Sequence, residues 1–141
     1  MEKIQFDSGI REYKLNGAGV LRFNPGDPNL YARFMDAAQK IQDIERELAA
    51  QAREEGASVV ALLQTADRKM KETLSWVFGP GNDFDKVLSG VNLLAVASNG
   101  ERVVTNLFAA LEPVLVSGAE AMTRQKTTEA VAKAKGRRAA Q

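Results

Sequence analysis

Oxygen-bearing side chains stand close together in one short stretch, Gly79-Pro80-Gly81-Asn82-Asp83-Phe84-Asp85. Asn82, Asp83 and Asp85 offer oxygen ligands at close spacing, as a hard cation requires. A calcium loop also needs further carboxylates and a distal Glu at fixed offsets, which are missing. The glycines look like a phosphate cradle, but no Lys-Ser/Thr follows as in a P-loop, and no glycine stands at the third place of a dinucleotide fingerprint. Capping and placement at a helix N-terminus account for Asn82, Asp83 and Asp85, and the Gly-Pro-Gly run reads as a helix-ending turn. Nothing in the sequence marks a close, buried pair of carboxylates for acid/base work. No catalytic residue, metal or cofactor is expected.

Composition narrows the chemistry further. The 141-residue chain has no cysteine and no histidine, which removes disulfides, thiolate sites and the usual zinc, haem and histidine-triad chemistries. Nineteen basic residues stand against eighteen acidic ones, so the net charge of +1 creates no field that demands nucleic acid or an anionic membrane. The longest apolar runs are too short to span a bilayer, and the N-terminus lacks the apolar core of a signal peptide, so a soluble cytoplasmic protein is expected. Arg124, Lys126, Lys133, Lys135, Arg137 and Arg138 make the C-terminus basic. Without interleaved aromatics for base stacking, that segment suits solvation or a protein partner better than nucleic acid.

The elements that must position these residues follow from periodicity. Ile4 and Phe6, and again Tyr13 and Leu15, alternate with polar neighbours at the period of half-buried strands. Asn16-Gly17 is a turn able to take positive φ, so residues 11–23 read as a β-hairpin. Asp27 caps and Pro28 opens a long helix whose seam is Leu30, Phe34, Ala37, Ile41, Ile44 and Leu48. Gly56 is a stop and Ser58 a new cap, after which Val59, Leu63, Ala66, Met70, Leu74 and Val77 form a second seam, antiparallel to the first. Residues 76–94 form an apolar knot rich in turn formers. Within it Trp76, which falls off the second seam, reads either as an interface anchor or as packed under Phe84 or Val91. Residues 91–97 read as irregular or short helix. A third main helix carries Val103, Val104, Leu107, Phe108 and Leu111, and Pro113 should kink or end it near Glu112.

The expected fold is therefore mainly α, a small helical bundle with a short N-terminal β-hairpin. Residues 1–118 make one globular domain, with the hairpin region in 1–26 and the helices in 27–118. Residues 119–141 are an Ala-rich basic helix or tail, partly disordered. From the seams and the knot, candidate protein-interaction residues are Leu30, Phe34, Ile41, Trp76, Phe78, Phe84 and Leu93.

At FNPGDPNLYARF, followed by VFGPGNDFDKVLSGVNLLAVASNGERVVTNLFAALEPVL, the chain resembles the tail assembly chaperones of long-tailed, siphovirus-type bacteriophages and prophages. The resemblance covers residues 6–115. Its carriers are Asp27-Pro28-Asn29-Leu30-Tyr31, Phe78-Gly79 with Gly81-Asn82-Asp83-Phe84, Val91-Asn92-Leu93, and Asn106-Leu107-Phe108 ahead of a proline. It implies a non-enzymatic protein that binds the phage tape-measure protein, recruits tail-tube subunits, works in the cytoplasm of the bacterial host and is absent from the mature virion. It assigns no binding residues. A structural tail or head-tail component retained in the virion, a nucleic-acid-binding accessory protein using the basic tail, and homo-oligomerisation remain alternatives on the residues alone.

Overall fold

The computed structural model describes the main chain of residues 1–140 and the side chains of residues 1–124. It is mostly helical, with a two-stranded antiparallel hairpin at its N-terminal end. Strands β1 (Arg11–Leu15) and β2 (Gly19–Phe23) pair in the register Arg11↔Phe23 to Leu15↔Gly19. Asn16 (φ 52°) and Gly17 (φ 74°) supply the positive angles of the turn, and the Ala18 N–H closes it on the Leu15 carbonyl at 3.1 Å. A hairpin alone is marginal in water. This one is anchored by Leu21 and Phe23, both buried, and by rings in sequence: Tyr13 stacks on Phe23 at 4.8 Å and Phe23 meets Phe78 edge-on at 4.9 Å.

The strand expected around Ile4 and Phe6 does not form. Residues 1–10 have no regular structure, and Ile4 and Phe6 are 90% and 81% exposed. Alternation gave that segment an apolar face, but no neighbouring strand accepts its main-chain hydrogen bonds.

Helix α1 (Pro28–Ala52) begins where expected, with Asp27 accepting the Asn29 N–H at 2.9 Å. It stops at Ala52, four residues short of Gly56. Beyond Leu48 its sequence has no apolar residue larger than alanine to pack, so the Arg53 and Glu54 N–H groups turn back on the Ala50 and Gln51 carbonyls. Helix α2 (Val59–Phe78) is capped by the Ser58 hydroxyl. The two run antiparallel: the Arg33 guanidinium donates to the Val77 carbonyl at one end, and Glu47 lies 3.9 Å from Lys69 towards the other. Their seams supply much of the core.

Asp83 caps the one-turn helix α3 (Phe84–Val87), and residues 88–102 follow in turns with a single bridge, Val96↔Arg102. The main chain of this segment does for the next helix what a capping side chain usually does. Val104 and Val103 donate to the Leu93 and Ala95 carbonyls at 2.8 and 2.9 Å, satisfying first-turn N–H groups of α4 (Val103–Ala140). Pro113 does not end α4. It is exposed, and the Ala109 carbonyl it leaves unbonded lies on the solvent side, where water can serve it.

Val104, Leu107, Leu111 and Leu115 put one face of α4 in the core. Its stretch Val103–Arg124 is, by length and composition, long and apolar enough to cross a membrane, contrary to the expectation from apolar run length. The helix continues past residue 118 without a break. The fraying expected of the basic tail concerns residues 125–141, whose side chains lie outside the described residues.

Two glycines mark where main chains touch. A Cβ at Gly118 would overlap the Pro25 carbonyl, fixing α4 against the loop after the hairpin, and one at Gly19 would overlap the Val87 carbonyl, fixing β2 against α3. Gly19→Ala is expected to cost about 1 to 3 kcal/mol by overpacking, measured by chemical denaturation. A loss within the error of the method would show that α3 is free to shift.

Candidate functional site

The oxygen-rich stretch is satisfied by the protein itself. Asn82 is buried, and its side-chain amide lies along the outer edge of β2: Oδ1 accepts the Arg22 N–H at 2.8 Å while Nδ2 donates to the Arg22 carbonyl at 2.8 Å and the Phe78 carbonyl at 2.9 Å. The amide stands in for one residue of a third strand. Only Asp83 acts as a cap, accepting the Asp85 N–H at 3.0 Å. Asp85 instead receives the Lys71 ammonium at 2.7 Å. Asp83 as cap and Asp85 in the first turn of α3 stand at a helix N-terminus as expected, with Asp85 also holding Lys71; Asn82 departs from that expectation by bonding β2.

Lys71 is the buried charge among the described residues. Its ammonium lies 2.9 Å from Asp67 Oδ2 and 2.7 Å from Asp85 Oδ1, and the other Asp67 oxygen accepts the Leu93 N–H at 2.8 Å. Burial alone would push the lysine pKa down. The hydrogen bonds that the ammonium donates to Asp85 and Asp67, with their charges, outweigh it and raise the value above the ordinary one. An ammonium held in this way keeps its proton at neutral pH, so it neither attacks a carbonyl nor abstracts a proton. The cluster ties α2 to α3 and to the segment that feeds α4.

Six of the seven candidate interaction residues lie in the core: Leu30 (3% exposed), Phe34 (7%), Ile41 (4%), Phe78 (6%), Phe84 (0%) and Leu93 (0%). The first helix spends its seam on its neighbours, and Phe34 meets Phe108 of α4 at 5.2 Å. Apart from Ile41, these cannot meet a partner unless the domain opens. Trp76 is the exception at 46% exposure, so the knot does not enclose it; the Lys40 ammonium sits 4.1 Å from the centre of its ring.

A surface feature not evident from the seams lies between the second half of α1 and the start of α4. Two open cavities of about 300 and 460 Å³ share Glu45 and Thr105. Ile41 and Phe108 line one, and Leu48, Leu63 and Leu94 line the other. Together they form a mainly apolar furrow. The small side chains Ala38, Ala49 and Ala52 leave the room. That row of alanines was its signal in the sequence.

Comparison with protein-family models, with curated proteins and with solved structures finds no match.

Proposed function

We propose that this protein is a non-enzymatic phage tail assembly chaperone that shelters helical segments of the tape-measure protein and helps tail-tube subunits gather around it. The observation that carries the reading is the furrow between α1 and α4, apolar at its floor and open to solvent. An amphipathic helix laid in such a groove buries its apolar stripe and dissociates without the carrier unfolding. The sequence resemblance over residues 6–115 supplies the identity of that helix.

Co-expression with the product of a neighbouring gene encoding a very long helical, tape-measure-like protein tests the proposal. The partner is expected to become soluble with the wild type. Ala49→Glu combined with Thr105→Glu, both at exposed positions of the furrow, is expected to abolish that effect while leaving circular dichroism unchanged. A partner that stays insoluble beside folded wild type would overturn the chaperone reading. A double variant as effective as wild type would overturn the furrow as its site.

A further inference from the structure

The hairpin has one closed edge and one open edge. Arg22 spends both main-chain groups on Asn82 and so faces away from β1, which makes Glu12↔Arg22 a non-hydrogen-bonded pair of the ladder. By the alternation of antiparallel strands, the N–H and C=O groups of Glu12 and Lys14 then point outward from β1. No described residue bonds them. Both side chains are exposed on the solvent face, where Glu12 lies 3.4 Å from Arg22. Tyr13 and Leu15 are half-buried on the other face.

We propose that β1 pairs edge to edge with β1 of a second copy about a two-fold axis through Tyr13, joining two hairpins into one four-stranded antiparallel sheet. Charge selects this register. With Tyr13 opposite Tyr13, Glu12 of each copy faces Lys14 of the other, and these are the residues with free main-chain groups. Each Glu12 N–H donates to the opposing Lys14 carbonyl, and each Lys14 N–H donates to the opposing Glu12 carbonyl. The solvent face then carries the row Arg22, Glu12, Lys14, Val20 twice, in opposite directions, with opposite charges adjacent. The neighbouring two-fold registers with the same main-chain bonds centre on Glu12 or Lys14 and set like charges face to face. Two tyrosines meet across the axis on the inner face, a favourable cross-strand pair. Five-residue strands bury far less than a permanent interface needs, so the dimer is reversible. This inference is independent of the furrow and of the chaperone reading.

Sedimentation across protein concentrations up to ~1 mM, where even weak association registers, is the test. The wild type is expected to dimerise reversibly, with hydrogen exchange at the Glu12 and Lys14 amides slowing as dimer accumulates. Glu12→Lys alone and Lys14→Glu alone each place like charges at both crossings, and each is expected to weaken self-association about tenfold or more while circular dichroism stays that of the wild type. Mixing the two variants restores opposite charges at both crossings, so the mixture is expected to recover wild-type affinity as a heterodimer. A wild type monomeric throughout, single variants that dimerise like wild type, or a mixture no tighter than its components would each overturn the proposal. So would dimerisation without protection of the two amides.

Discussion

Phe84→Ala is expected to lower the unfolding free energy by about 3 to 5 kcal/mol, the range for removing a fully enclosed ring. Phe84 has no exposed surface, leans on Phe78 at 5.4 Å, and its own N–H donates to the Ser75 hydroxyl at 3.3 Å. It belongs to a chain of rings running through Phe78 and Phe23 to Tyr13, so the cavity opens beneath the hairpin as well as beneath α3. Urea denaturation followed by circular dichroism gives the number. A loss under about 0.5 kcal/mol, as at a surface position, would mean that the ring does not fill the core.

Lys71→Met should cost about 3 kcal/mol, the lower end for breaking a buried ion pair, because the aspartates do not lose equally. The Asp67 side chain is 15% exposed and would be left with an unmatched charge, whereas that of Asp85 is 66% exposed and can return to water. Lys71→Met combined with Asp67→Asn removes the stranded charge and keeps an acceptor for the Leu93 N–H, so the double variant is expected to recover much of the loss. A double variant no better than the single would show that Lys71 acts by packing alone. The pH dependence has a definite sign. A lysine whose pKa is raised by folding contributes its full stability below the unfolded value, near 10.5, and loses it as pH rises through the higher folded value. The stability difference between wild type and Lys71→Met should therefore be constant around neutrality and narrow only in strong alkali. Narrowing between pH 6 and 8 would contradict the assignment.

Local signals were the legible part of the fold. Asp27-Pro28, Ser58, Asp83 and Asn16-Gly17 each act within a few residues of themselves, and the two seams face the core except at Val59, which the first turn of α2 leaves 51% exposed. Features that depend on distant partners were not legible. Asn82 bonds Arg22 across 60 positions, and no local pattern announces it. Trp76 finds Lys40 only because α1 and α2 run antiparallel. Lys71 did leave a trace, since Asp67 precedes it by one helical turn, but that spacing is equally that of a solvated pair. The strand pattern at Ile4 and Phe6 failed for the complementary reason: alternation specifies a face and says nothing of a neighbour. The candidate interaction residues were chosen for large apolar side chains, the property that put six of the seven inside.

The Asn82 amide along β2 also sets a stoichiometry. A two-stranded ribbon with both edges free is a repeating unit, able to add copies from either side without limit. Here one side is already occupied by a side chain of the same molecule, so any strand that joins the hairpin joins at β1 alone. Assembly through it closes at one partner, in a point group rather than a filament. A single buried carboxamide thereby leaves the ribbon one free edge instead of two.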